Sequence, residues 1–426
     1  MQKTDPRYAA YVEVLKNHLK PAMGCTEPIA IAYASAVVRK ALGRLPEKAI
    51  VRVSGNIIKN AKAVTVPHTG GRKGIDAACA AGLIAGNADR ELEVIASVSA
   101  EALTAIDAYL AEKRITVELK EAARLFDIEV IAQADGHCAT ARIADRHTNV
   151  VEVEVDGRRL AFRELVGEEM DTDANEALLT IEGAYDFADT CDLSDVEAVI
   201  QRQIECNTAI AEEGLTGCWG ASVGKVILDS YGTADVKVRA RAYAAAGSDA
   251  RMSGCEMPVI INSGSGNQGM TISLPIVEYA KEINASKERL YRSLVLANLT
   301  AIRQKTLIGC LSAYCGAVSA GCASAAGIAY LNGGDLYLVN HTLVNGLAIL
   351  SGTICDGAKP SCAAKIASAV EAGILGYEMA KAGKQFRGGE GIIKKGVENT
   401  IISVGRLGKE GMKQTDEEIL RIMIGE

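Results

Sequence analysis

Aromatic side chains are scarce in this chain. They make up 4% of its 426 residues, with one Trp and four Phe. Its core must therefore be built from Ala, Val, Ile and Leu, and the 42 Gly permit close backbone approaches. Long charge runs and Pro/Ser-rich tracts are missing, which argues against disorder. The net charge is −7 with no basic patch, so nothing neutralises a phosphate backbone and nucleic acid is not an expected partner. No stretch reaches 18 uninterrupted apolar residues; the nearest, 315–331, is too small-sided and too broken by polar residues to span a bilayer, so no membrane partner is expected. The opening residues MQKTDPRYAAYVEVLKNHLK lack the apolar centre of a signal peptide. A cytoplasmic location follows as an expectation. A homo-oligomer is compatible with this reading.

Cysteine, by contrast, is plentiful. There are 12, and five of them fall between Cys310 and Cys362. In a cytosolic chain they stay thiols, so a disulfide framework is not expected.

The length suggests two domains. Residues 6–22 predict an amphipathic helix, after which GCTEP interrupts; Thr26 is a capping residue and Pro28 suits a first helical turn. Strands are predicted at AIVRVSG, VTVPH, LEVIASV, RITVELK and IEVIAQA, and a hairpin over 139–162 with Asp145, Arg146 and His147 near its turn. Residues 166–200 read as an acidic helical connector. From Ile204 onward strand signals are rare, and long Ala/Gly/Leu/Ile helices dominate. The expected fold is α+β: a mixed α/β domain over 1–190, then a larger, nearly all-α domain over 200–426. No internal repeat of fixed period stands out.

Four stretches carry chemistry. Cys315 precedes a helix, and Cys355 and Cys362 flank the turn-forming Asp356, Gly357 and Pro360. Three thiolates are one fewer than the four corners of a [4Fe–4S] cluster, and an open iron is what a catalytic cluster needs. Buried structural thiols are the alternative, and zinc a third, although the tight C-x₂-C pairs usual for structural zinc are missing. Cys25 stands before a helix start, whose dipole and free N–H groups lower a thiol pKa; it can serve as base or nucleophile, or as a plain buried thiol. The loop Ser263, Gly264, Ser265, Gly266, Asn267, Gln268 joins a strand-like run to a helix, and its N–H groups can hold a carboxylate or a phosphate, or simply make a tight turn. The Gly-x-x-x-x-Gly-Lys-Ser/Thr pattern of a phosphate loop is not there. His68 lies in the Gly-rich turn VPHTGGRKG, where a structural and a catalytic role both remain open. The other four histidines, His147 among them, have nothing comparable around them.

GCTEPIAIA, SGSGNQG, CGAVSAGCASAAGIAYLNGG and ICDGAKPSC together resemble the L-cysteine desulfidases and their bacterial relatives over essentially the whole chain. More remotely, and in the same order, the chain is similar to the iron–sulfur L-serine dehydratases: PHTGGRKGIDAACAAGL resembles their Gly-His-Gly-Thr-Asp stretch and NSGSGNQGMTISLP their Pro-Thr-Ala-Gly loop. Cys25 and Glu27 stand where the dehydratases have Ser-Ser-His-Thr, and six residues separate Cys355 from Cys362 where they have more.

The resemblance implies a [4Fe–4S] cluster on Cys315, Cys355 and Cys362, and β-elimination from a small amino acid without pyridoxal phosphate. No Lys stands in a recognisable pyridoxal-phosphate setting. On this reading Cys25 takes the Cα proton, the 263–269 loop holds the carboxylate, and His68 and Lys305 assist. L-cysteine is the first substrate and L-serine the alternative. A thiol-rich metal- or redox-sensing protein without turnover is the reading from another class.

Overall fold

The computed structural model describes residues 1–121, 124–165, 174–309 and 311–425. Part of the acidic connector, 166–173, lies outside them, as does Cys310. The fold is α+β. A six-stranded sheet is built from β2 (Lys48–Val53), β3 (Ile115–Leu119), β4 (Asp127–Ala134), β5 (His137–Ala144), β6 (Val150–Val155) and β7 (Arg158–Phe162), in the order β3-β2-β4-β5-β6-β7. Only β2 and β3 run parallel; the other neighbours are antiparallel. Two of the hairpins turn on Asp-Gly pairs, Asp135-Gly136 and Asp156-Gly157, with positive φ at both residues. That backbone matches the twist of the flanking strands and favours this dipeptide.

Helix Thr26–Leu42 lies across β4 and β5, and helix Gly74–Ala85 packs on its other side. The approach is close enough that a Cβ on Gly82 would stand 2.1 Å from the Ala32 carbonyl oxygen. Glycine is required there by contact and not by φ.

Beyond residue 200 the described residues hold one short strand, β8 (Pro258–Ile260). It pairs antiparallel with β1 (Pro21–Met23), in the register Pro21↔Ile260 and Met23↔Pro258. The helix predicted for 6–22 therefore ends at His18, because the Lys20–Met23 segment is drawn into this ribbon. Two other expected strands are also absent. VTVPH makes only an isolated bridge between Thr65 and Lys73, since the glycines behind it turn the chain at once. LEVIASV begins in the last two residues of the 3₁₀ helix Ala88–Glu93 and continues as a turn, with Leu92, Val94 and Ile95 buried in the core without strand partners.

The helical body runs through Glu197–Thr216, Val236–Met252, Gly266–Glu282, Lys287–Ile308, Gly316–Leu331 and Cys362–Lys381. Helix Ile181–Thr190 packs on Lys287–Ile308 and so joins this body. Small residues replace aromatics at its centre. Gly321 sits against the Ala369 backbone and Gly373 against the Gly321 carbonyl, so helices Gly316–Leu331 and Cys362–Lys381 touch backbone to backbone. One apolar core runs continuously through both halves of the chain. Helix Lys413–Ile424 returns to the N-terminal half, where Leu420 occupies the space a side chain on Gly55 would take. No helix of the described residues is long and apolar enough to cross a membrane.

Candidate active site

The β1–β8 ribbon decides what meets at the site. Two residues past β1 the chain reaches Cys25 at the N-cap of helix Thr26–Leu42; just past β8 it enters the glycine loop and helix Gly266–Glu282. Thr26 does not cap its helix as expected. Its Oγ1 donates to the Gly264 carbonyl at 2.8 Å and tethers the two segments.

On the opposite wall, two thiol-bearing segments are zipped together. Tyr314 and Ile354 form an antiparallel bridge, Cys315 N donates to Thr353 O at 2.9 Å, and Cys355 N donates to Ala313 O at 2.7 Å. The Asp356 carboxylate is held by Lys359 and Lys365, and Lys365 Nζ also donates to Ile354 O at 2.7 Å. This fixes the turn that leads to Cys362, the first residue of helix Cys362–Lys381.

The result is a cavity of about 100 Å³ whose lining includes Cys25, Glu27, Arg251, Lys305 and the three cysteines Cys315, Cys355 and Cys362. Ser265, Asn267 and Gln268 of the glycine loop also face it. Ser263 and Gly264 line a second cavity of about 300 Å³ instead, with His18, His147 and Glu176. Lys305, 6% exposed, borders both. Gly266 starts the helix between them. The loop is partly committed to its own turn: Ser265 N donates to Asn262 O, Gln268 N to Ser265 Oγ, and Gly269 N to Ser265 O. An anion cradle made of every amide from 263 to 269, as expected from the sequence, is therefore not what the backbone offers.

Electrostatics separates the thiols. Cys315 donates its S–H to Cys355, which raises Cys315 and lowers Cys355; burial opposes the lowering, and Lys59 and Lys305 assist it. The two neighbouring thiols are thus pushed in opposite directions, Cys315 up and Cys355 down. Lys59 is buried and ion-paired with Asp416 of the C-terminal helix. Cys362 is pushed up by burial.

Cys25 departs from expectation. Burial, and then the Glu27 carboxylate, push its thiol well above the ordinary range, so the helix start does not leave a standing thiolate. Its Sγ donates to Glu27 Oε2 at 3.0 Å. Glu27 sits in the first turn of the same helix, and this local carboxylate outweighs a half-charge dipole.

His68 lies outside both cavities. It adopts positive φ, its Nδ1 is 3.3 Å from Glu256 Oε2, and its Nε2 is buried without a partner. Its Glu256 contact is with the C-terminal half, but it lines neither cavity. His147, passed over in the sequence, reaches the site instead. Its ring lies edge-on to Phe126 and against Gly264, where a Cβ would be 2.7 Å from its Cε1. Burial lowers its pKa, leaving a neutral imidazole. Arg251 was missed too. It ends an Ala-rich helix, and an Arg at a helix C-terminus ordinarily signals only a favourable dipole contact.

The donor set suits a thiolate-bound metal group. Three thiols from two segments face one cavity with two lysines near Cys355, which lowers the cost of holding thiolates there. As they stand, no three His, Cys, Asp or Glu side chains among the described residues form a ready coordination set. Cys315 and Cys355 instead share a hydrogen bond.

Comparison with known proteins matches residues 89–421 to the serine dehydratase alpha chain family. A UPF0597 protein of Desulfitobacterium hafniense is 53% identical over 426 residues, covering 100% of this chain and 99% of the relative. A UPF0597 protein of Lachnoclostridium phytofermentans is 47% identical over 417 residues, covering 98% and 100%. One from Finegoldia magna is 46% identical over 415 residues, covering 97% and 99%. With a cavity that gathers Cys25, three clustered cysteines and a glycine loop, and with a match across most of its length, the chain belongs to the serine dehydratase alpha chain family.

Proposed function

We propose that this chain is a cytoplasmic iron–sulfur-dependent lyase that removes the β-substituent of a small amino acid, converting L-cysteine to pyruvate, ammonia and sulfide. The observation that carries the reading is the cavity onto which Cys25, Cys315, Cys355 and Cys362 converge with Ser265, Asn267 and Gln268 of the glycine loop. Family membership supports a lyase of the serine dehydratase type.

A [4Fe–4S] cluster on Cys315, Cys355 and Cys362 would supply an open iron as Lewis acid for the β-substituent. Pyridoxal phosphate has no part in this reading. Cys25 comes from the opposite wall and serves proton transfer, not permanent ligation. Because its thiol is protonated and points at Glu27, base and acceptor act as a pair. The Cα proton passes to the Cys25 sulfur as the sulfur's own proton passes to Glu27 Oε2. The Cα electrons form the Cα–Cβ double bond, and the Cβ–S bond breaks to release hydrosulfide. The aminoacrylate tautomerises and is hydrolysed to pyruvate and ammonium. Ser265, Asn267 and Gln268 frame the substrate. Lys305 stands where the two cavities meet, and the larger one is the approach for substrate. His68 lies outside both cavities, beside Glu256, and takes no step here.

The family match favours a second reading, dehydration of L-serine by the same steps with water as leaving group. Anaerobically prepared protein, supplied in turn with L-cysteine and L-serine, tests both through pyruvate. Faster pyruvate release with sulfide from L-cysteine supports the first; release from L-serine alone overturns it in favour of the second. Pyruvate from neither substrate overturns both and leaves a thiol-rich metal or redox sensor.

A further inference from the structure

The amino-acid reading requires a place for a carboxylate. Arg251 is 3% exposed and lines the thiol cavity. A buried guanidinium is costly unless an anion balances it. Among the described residues no carboxylate lies within ion-pair distance of Arg251. Its Nη1 donates to the neutral Asn267 Oδ1 at 3.1 Å, and its Nε is buried with no acceptor at all. Buried polar atoms are nearly always satisfied, so this one awaits a partner.

The surroundings are shaped for that partner. A Cβ on Gly266 would stand 2.5 Å from Arg251 Nε, so the glycine brings the start of helix Gly266–Glu282 directly against the guanidinium. The helix start adds its own partial positive charge at the same point. Gln268, which follows in that first turn, has an Oε1 buried without a donor, and its amide lies over Gly316, next to Cys315.

We infer that Arg251 is the carboxylate anchor of the cavity, gripping the substrate's α-carboxylate between its guanidinium and the start of helix Gly266–Glu282. The planar fork of an arginine matches a carboxylate in two hydrogen bonds, which a lysine cannot reproduce. The inference rests on the amino-acid lyase reading only for the identity of the ligand.

Binding measured without turnover tests it. Isothermal titration of the full-length protein with L-alanine, which has no leaving group, is compared with ethylamine, which has no carboxylate. Wild type should bind L-alanine more tightly than ethylamine. Arg251→Met should weaken L-alanine binding by about 10- to 100-fold, the usual worth of charged hydrogen bonds, and leave ethylamine unchanged. Arg251→Lys should recover part of the loss. Unchanged L-alanine binding in Arg251→Met overturns the inference, and so does an equal loss for ethylamine or a wild type indifferent to the carboxylate. Should Arg251→Met fail to fold, Asn267→Asp places a competing carboxylate on Nη1 and should weaken L-alanine binding; wild-type affinity in that variant overturns the inference. A protein that grips L-alanine through Arg251 yet releases no sulfide or pyruvate leaves the anchor standing and removes the elimination reading.

Discussion

Cys25 and Glu27 share one proton across 3.0 Å, with the thiol as donor and Oε2 as acceptor, at the first turn of helix Thr26–Leu42. A buried thiol beside a carboxylate is a poor base alone and a competent one when the carboxylate can accept its proton. Replacing either partner should therefore slow the same step. Cys25→Ser and Glu27→Gln should each lower turnover by about 10²- to 10⁴-fold, the usual contribution of a positioned acid or base. Iron content should stay at the wild-type level in both. Loss of iron in Cys25→Ser would make Cys25 a ligand, and full activity would make it a packing residue.

Cys315, Cys355 and Cys362 carry the opposite expectation. Anaerobic wild type should be brown, with about four irons per chain if one cubane cluster is held. A single Ala at any of the three should bleach the absorption. Full iron and sulfide in the triple Ala variant would refute the ligand assignment.

Glu176 anchors the wall of the larger cavity. It is 2% exposed, receives Arg146 Nη2 at 2.8 Å and Thr306 Oγ1 at 3.2 Å, and lies 2.9 Å from His18 Nε2. Burial pushes its carboxyl up, but His18 and Arg146 together hold it below the ordinary value of 4.5. A lowered folded-state pKa contributes stability above the ordinary value and loses it as pH falls through the folded one. Thermal melts should therefore show an acid limb beginning below about pH 4.5 that Glu176→Gln lacks. At neutral pH the same change should cost about 1 kcal/mol, because the Arg146 guanidinium it leaves unpaired is 38% exposed and screened by water.

Cys79 sets an alkaline limb. It is fully buried on helix Gly74–Ala85, and burial pushes its thiol from 9.0 up to about 12. The unfolded chain ionises from pH 9 while the folded chain cannot. Stability is thus intact below pH 9 and falls steadily toward about pH 12. Cys79→Ala should give a shallower decline in melting temperature over that window; an identical slope would remove Cys79 as a cause.

Gly82→Ala tests the helix contact behind the site. A methyl 2.1 Å from Ala32 O forces helices Thr26–Leu42 and Gly74–Ala85 apart. Overpacking of this kind costs about 1–3 kcal/mol. Chemical denaturation should register that loss, and no loss would mean that the two helices separate freely.

The α+β division, the helices around the thiols and the grouping of Cys315, Cys355 and Cys362 were all legible in the residue order. They rest on local periodicity, turn residues and spacing, which short-range sterics and apolar patterning dictate. The failures were of another kind. The end of helix Pro6–His18 depended on pairing with Pro258–Ile260, more than 230 positions away along the chain. The protonation of Cys25 was set by how deeply packing buries it, a quantity no local pattern contains. His147 and Arg251 carried no local signal, because a lone histidine in a hairpin turn and an arginine ending an Ala-rich helix are commonplace. They became site residues only when the β1–β8 ribbon and helix Gly266–Glu282 brought Gly264 and Gly266 against them. Sequence determined which residues could do chemistry; the tertiary structure decided which did meet, because burial, charge pairing and backbone contact depend on neighbours distant in the chain.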